Sequence, residues 1–255
     1  GTTMGVKSAE RVLEIFELLK DYPEGLTSKE ISVKLGYAGS STFGLVKTLS
    51  EQGYLWEDEQ KRYMLGARLI QLGAYASSFL DINKVAGQPL KKLMEKLQET
   101  VFMAVLSGEE IVYVAKVDNY RSISTNARLG GRKPIYCTGL GKTFLTFLPK
   151  EERDGIINRI EFVPITPNTI TNKEKLYEQL TFFEKQGYAI DNEEIEVGLW
   201  CASAPVFGST GRMEAAVSVS GPTARMLGNK EEIVSELLQV TRELSKQLGY
   251  SGERK

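Results

Sequence analysis

Apolar residues recur at helical spacing from the start of the chain. Val12, Ile15, Phe16 and Leu19 lie three or four residues apart, which predicts an amphipathic helix capped at Ser8 and stopped near Pro23-Glu24-Gly25. Thr27 and Glu30 have the spacing of a capping box, so a second helix is expected from Thr27 through Ile31 and Leu35 to Gly36. Ser40 or Ser41 is the expected cap of a third helix, with Phe43, Val46 and Leu49 or Leu45 on its faces and a close at Gly53. Tyr54-Leu55-Trp56 and Arg62-Tyr63-Met64-Leu65 then flank the polar stretch 57–61, the layout of a β-hairpin with a longer loop. Three short helices and a hairpin predict a winged helix-turn-helix, whose third helix enters a DNA major groove while the hairpin touches the backbone. A three-helix packing module without DNA has the same element order.

Residues 67–80 read as a helix with small residues and a broad apolar face, expected to link two domains. A further helix is predicted over 82–99 and strands over 101–106 and 111–117, joined by the turn Ser107-Gly108-Glu109-Glu110. Beyond these come a strand near 122–127, helices at 141–147, from 151 and at 172–186, strands at 188–191, 202–207 and 213–220, and a terminal helix at 231–248. Hairpins mixed with helices predict an α+β domain around an antiparallel sheet. The expected organisation is a mainly α winged helix-turn-helix at residues 1–66, a linker helix at 67–80 and an α+β domain at 81–255.

Composition narrows the chemistry. With 255 residues and 42% hydrophobic positions the chain can bury a substantial core. It has no histidine, which removes imidazole as base, metal ligand and pH switch. Two cysteines, Cys137 and Cys201, are too few for a disulfide framework or a four-cysteine zinc site, and thiol catalysis has no histidine base to draw on. No metal or cofactor is expected. No run approaches the roughly 20 apolar residues of a membrane span, and no apolar leader opens the chain, so a reducing cytoplasm is the expected compartment. Gly1-Thr2-Thr3 ahead of Met4 reads as a cloning remnant.

Two strings invite stronger readings and lose them on spacing. Gly139-Leu140-Gly141-Lys142-Thr143 lacks the earlier glycine of a phosphate loop, where Tyr136 stands, and the small residue of a dinucleotide fingerprint, where Phe144 stands. What remains is either a bare turn or a glycine-rich helix start whose free N–H groups suit a carboxylate. The acidic run Asp191 to Glu196 lacks the ligand spacing of a calcium loop and is expected to be a solvated loop. Charge is unhelpful as a DNA signature, because residues 1–75 carry nine Lys and Arg against ten Asp and Glu. Phosphate contacts provide most non-specific affinity, so binding is expected to need a dimer and local cations, with Lys47, Lys61 and Arg62 best placed.

The whole pattern, over about residues 6–249, resembles the IclR family of bacterial transcriptional regulators. The resemblance rests on Ser8-Ala9-Glu10-Arg11, Ser40-Ser41-Thr42 with Gly53-Tyr54 downstream, and Arg62-Tyr63-Met64-Leu65-Gly66. It continues through Leu129 to Lys142, Thr169-Ile170-Thr171, Gly187 to Glu194, Gly198 to Val206 and Ser218-Val219-Ser220-Gly221-Pro222, in the family's order. It implies a winged helix followed by a GAF-like effector-binding domain. It also implies a pocket lined by the segment 129–140, with Leu129, Gly130, Cys137, Thr138, Gly139 and Leu140, and by Asp191, Cys201, Ser203, Ser218 and Ser220. Such a lining offers many hydrogen bonds and little positive charge, which suits a small organic acid, the effector class typical of the family. Double-stranded operator DNA is implied as partner, bound by a homodimer or homotetramer, with Thr27, Ser28, Ser40, Ser41, Thr42, Phe43, Lys47, Lys61 and Arg62 as its contacts.

The chain departs from the family at informative positions. Gly39, Phe43 and Gly44 stand where a basic residue, a histidine or tyrosine, and an arginine are usual. Loss of a bidentate arginine removes roughly 1–3 kcal/mol of base discrimination, and a glycine inside a helix costs about 1 kcal/mol. Trp200 replaces a common arginine and Ser203 a common alanine. The expected function is a non-enzymatic, effector-responsive DNA-binding regulator; the alternative is a small-molecule sensor or enzyme whose N-terminal helices only dimerise.

Overall fold

The computed structural model describes residues 5–79, 81–119 and 129–254. The chain divides after residue 79 into two compact units. The first contains α1 (Lys7–Lys20), β1 (Leu26–Thr27), α2 (Ser28–Leu35), α3 (Gly39–Glu51), β2 (Leu55–Glu57), β3 (Arg62–Leu65) and α4 (Ala67–Phe79). Its small antiparallel sheet has the order β1-β3-β2. Ile15, Leu19, Leu26, Ile31, Val46, Leu55 and Tyr63 close one core between the helices and the hairpin, so the three-helix-and-wing arrangement is present.

Local signals in this unit hold where the hydrogen bonds are local. The Thr27 hydroxyl accepts from the Glu30 N–H while the Thr27 N–H donates to the Glu30 carboxylate, a complete capping box. These bonds hold Glu30 below the usual carboxylate range. Gly36 ends α2 in the left-handed region, at φ 72°. Two expected caps are corrected. α1 starts at Lys7 behind Val6, not at Ser8. α3 starts at Gly39 behind Ala38, one residue ahead of Ser40, so Ser41 and Thr42 fall inside the first turn and donate back to the Ala38 carbonyl at 3.0 Å. Thr42 and Val46, one turn apart, are buried, and Phe43 points outward at 54% exposure.

The second unit contains α5 (Ile82–Leu97), β4 (Thr100–Ser107), β5 (Glu110–Val117), β6 (Arg132–Pro134), α6 (Gly139–Phe147), α7 (Lys150–Asn158) and α8 (Lys173–Gln186). β7 (Ala189–Asn192), β8 (Leu199–Phe207), β9 (Met213–Pro222), α9 (Thr223–Gly228) and α10 (Lys230–Gln247) complete it. The strands form one antiparallel sheet in the order β6-β5-β4-β9-β8-β7. Phe144, Leu145, Ile157, Leu176 and Leu180 of α6, α7 and α8 pack on one face. Leu90, Leu93, Met226, Leu237 and Leu244 of α5, α9 and α10 pack on the other. β8 is covered on both faces, and only Leu199 along its length escapes full burial. It starts three residues earlier than its apolar run predicts, because β9 pairs with it out to Pro222. The short β1, β6 and α9 have no counterpart in the expected elements, and the expected strand at 122–127 lies outside the described residues. No described helix is long and apolar enough to cross a membrane.

Close approach of α6 to the chain before it depends on one glycine. A Cβ at Gly141 would stand 2.3 Å from the Ile135 carbonyl oxygen and 2.6 Å from the Thr138 hydroxyl. Only glycine lets the helix start fold back this tightly, with the Thr138 hydroxyl capping the Gly141 N–H at 3.0 Å.

Candidate functional site

Cross-strand register assembles the site. Asp191 of β7 pairs with Cys201 of β8, which pairs with Ser220 of β9. One step along, Ala189, Ser203 and Ser218 form the next row. The period-two alternation of β8 and β9 sends Trp200, Ala202, Val217 and Val219 into the α5–α10 core. Cys201, Ser203, Ser218 and Ser220 therefore go to the opposite face, beneath the start of α6.

A cavity of about 290 Å³ lies there. Asp191, Cys201, Ser218 and Ser220 line it from the sheet, Thr138, Gly139 and Leu140 from the start of α6, and Lys133 from β6. Phe102, Tyr113, Ile195, Glu196 and Leu199 complete the wall. Its polar groups come from two adjoining walls, since a Cβ at Gly139 would stand 3.4 Å from the Cys201 Cβ and 3.7 Å from the Asp191 Cβ. On the α6 wall the helix N-terminus carries positive partial charge, and the Thr138 hydroxyl is already engaged with Gly141 and with the Pro134 carbonyl. On the sheet wall the Cys201 sulfur and the Ser220 hydroxyl lie 2.9 Å apart, and Asp191 is paired across the strands with Cys201.

Asp191 is fully buried, and its Oδ1 accepts the Glu194 N–H at 2.8 Å. Its Oδ2 has no partner among the described residues. Burial raises its pKa to about 7, opposed by the nearby Lys142 ammonium and by the Glu194 and Ile195 N–H groups. Burial also pushes the Cys201 thiol and the Tyr113 hydroxyl well up, and Cys137 to about 12. All three are thus neutral near pH 7, and neither thiol is a nucleophile.

The expectation of a solvated acidic loop is corrected. Asp191 and Glu194 are buried, and Glu194 pairs with the buried Lys142, whose Nζ also donates to Gln179 Oε1 at 3.1 Å. Burial is tolerable because each carboxyl has a compensating donor. The Thr166 and Thr169 hydroxyls donate to the Glu193 and Glu194 carbonyls and fasten this turn from a third segment. The lysine of the Gly-Leu-Gly-Lys string therefore holds the cavity wall together.

Of the expected effector contacts, Thr138, Gly139, Leu140, Asp191, Cys201, Ser218 and Ser220 are brought together at the cavity. Leu129 and Gly130 are exposed and not part of its wall, Leu129 at 63%. Cys137 and Ser203 are fully buried outside its wall. Ser203 sits under Gly139, where a Cβ would lie 3.5 Å from its own Cβ. Phe102 and Tyr113, whose rings meet at a tilt of 50° with centroids 5.1 Å apart, are indistinguishable in sequence from ordinary core aromatics. Among the described residues no group of three or more metal-ligating side chains is placed to hold an ion.

In the first unit Ser40, Ser41 and Phe43 lie on the exposed side of α3 with Lys47, which is 3.8 Å from Glu57 of the wing. Thr42 is buried and its hydroxyl is engaged by Ala38. Thr27 is engaged by Glu30, and Ser28 is half-buried. Lys61, with φ 58°, and Arg62 are exposed at the wing. Asp58 shapes that turn by accepting the Gln60 and Arg62 N–H groups at 2.9 Å.

Comparison with known proteins decides what this pair of units is. Residues 8–59 match the IclR helix-turn-helix domain, and residues 74–246 match the bacterial transcriptional regulator IclR C-terminal family. The chain belongs to the IclR family. It is 34% identical over 249 residues to the HTH-type transcriptional regulator KdgR of Dickeya chrysanthemi, covering 95% of this chain and 81% of that protein. It is 32% identical to the HTH-type transcriptional regulator XynR of Escherichia coli, covering 96% and 98%. The crystal structure of the Thermotoga maritima IclR shares 33% identity and superposes with a TM-score of 0.65 over 96% of this chain and 99% of that one. As an IclR-family member the protein is a helix-turn-helix transcriptional regulator with a C-terminal effector-binding domain, and not an enzyme.

Proposed function

We propose that a small organic acid occupies the cavity beneath α6 and modulates binding of the protein to operator DNA. The observation that carries this reading is one cavity lined by the start of α6, by Lys133 and by buried Asp191, whose Oδ2 is unpartnered. The helix start and Lys133 suit the acid group, and Asp191 accepts a hydroxyl or, when protonated, donates to an oxygen. The helices of the first unit then serve DNA and not dimerisation alone. Ser40, Ser41 and Phe43 face the bases, while Lys47, Lys61 and Arg62 face phosphates. Ser28 lies at the edge of that surface, and Thr27 and Thr42 support it from within. α4 links the two functions, with the domain limits near residues 66 and 81. The near-neutral charge of the module makes a homodimer or a dimer of dimers the binding form, and the protein acts in the cytoplasm.

A thermal-shift screen of lactate, gluconate and benzoate against the purified chain tests the effector. Ligand at about a hundredfold above its Kd stabilises the protein by about 2.7 kcal/mol. The rise should vanish in Cys201→Ala and Ser220→Ala. A rise that both variants retain places the acid elsewhere and sinks the proposal.

A further inference from the structure

We infer that Phe43 is a specificity-determining residue that reads thymine, through the C5-methyl group, in the operator half-site beneath α3. The inference rests on α3 being the major-groove helix of the proposed function. Burial of Thr42 and Val46 fixes the phase of α3 and turns Phe43 outward, 54% exposed. On either side of it in sequence are Gly39 and Gly44, where a Cβ would meet nothing within 4 Å. Packing within the unit demands neither glycine. Gly44, inside the helix, lowers its stability, and both glycines leave bare backbone on the helix surface, so a groove wall can approach closely.

The same face is poor in the groups that read other bases. Residues 39–47 contain no Arg, Asn or Gln, the side chains that grip guanine or adenine by two hydrogen bonds. Ser41 donates into the Ala38 carbonyl, and Lys47 is drawn toward Glu57. The phenyl ring offers no hydrogen bond, and the only apolar group displayed in the major groove is the thymine methyl. A ring at this place therefore distinguishes thymine from cytosine or a purine by what it can bury.

The full-length protein is first used to select duplexes from a randomised library. Binding of the enriched duplex is then compared with a copy in which 2′-deoxyuridine replaces thymine, which removes only the methyl groups. Native protein should lose roughly fourfold per half-site, the worth of one buried methyl-sized group. Phe43→Ala should bind more weakly and be indifferent to the replacement, with an unchanged melting profile because the side chain is exposed. Equal uridine sensitivity in both proteins, or none in the native one, overturns the reading of Phe43 while leaving a DNA-binding regulator. Loss of dimer in Phe43→Ala assigns the ring to a protein interface and overturns it as well. Failure to enrich any sequence removes the DNA premise itself.

Discussion

Lys142 and Glu194 form an ion pair in which both side chains are buried, although 52 positions separate them in the chain. The pair ties α6, whose first turn forms one wall of the cavity, to the turn that follows Asp191 on another wall. A buried pair contributes little against an apolar replacement, but removing one partner strands a charge and costs about 3–5 kcal/mol. Glu194→Gln and Lys142→Met should each lower stability by that order in urea unfolding. The double variant Lys142→Met/Glu194→Leu should recover most of the loss. Additive losses in the double variant would count against this account of the pair.

Asp191 gives stability a pH dependence of definite sign. Its carboxyl titrates at about 7 in the folded chain, chiefly because it is buried, and at about 3.9 when unfolded. Below both values it is neutral in both states and makes no difference. Between them the folded chain holds a proton that the unfolded chain has released, so this group's contribution falls as pH rises. Above about 7 the full penalty persists. Asp191→Asn retains an acceptor for the Glu194 N–H and cannot ionise. It should exceed the native protein in stability by on the order of a few kcal/mol at about pH 8, with the gap closing toward pH 4. A gap that does not change with pH would show that ionisation of Asp191 is not its cause.

What could be read from sequence follows how local each determinant is. The capping box of Thr27 and Glu30 and the stop at Gly36 lie within single turns, and both stand as expected. Ser40 and Ser41 have the chemistry of caps, yet α3 extends one residue past them and turns their surroundings into helix. The alternation around Cys201 and Ser220 marks two strands with a polar side, but only the register, Cys201 against Ser220 and Asp191, shows that these side chains share one cavity. Lys142 and the acidic run each resemble a familiar surface feature. Their burial follows from mutual compensation over a distance that periodicity does not register. Phe102 and Tyr113 look like core because they also are core, and only the sheet shows that they border empty space.

Gly139 and Gly141 differ in what surrounds them, and alanine should separate their roles. At Gly141 the added methyl meets backbone at 2.3 Å, so α6 must shift or strain. Gly141→Ala should destabilise the second unit by about 1–3 kcal/mol or more, as overpacking of rigid surroundings does. At Gly139 the nearest atoms are side-chain carbons of Cys201 and Ser203 at 3.4 and 3.5 Å, ordinary contact distances. Gly139→Ala should fold with near-native stability and lose affinity for any acid found by thermal shift, because its methyl enters a cavity wall. Native ligand affinity in Gly139→Ala would place the ligand away from the start of α6.

Gly44 poses stability against function on the other unit. It lies inside α3, exposed, with open space where a side chain would stand. In such a position alanine restricts the unfolded chain and stabilises the helix by about 0.5–1 kcal/mol. Hydrogen exchange of the α3 amides should therefore slow in Gly44→Ala. The methyl also raises the floor beside Phe43, so affinity for the selected duplex should fall even as the helix becomes firmer. Opposite movement of these two quantities distinguishes a glycine kept for close approach to DNA from one that is merely tolerated. If exchange slows and DNA affinity is unchanged, the bare backbone at Gly44 has no part in the contact.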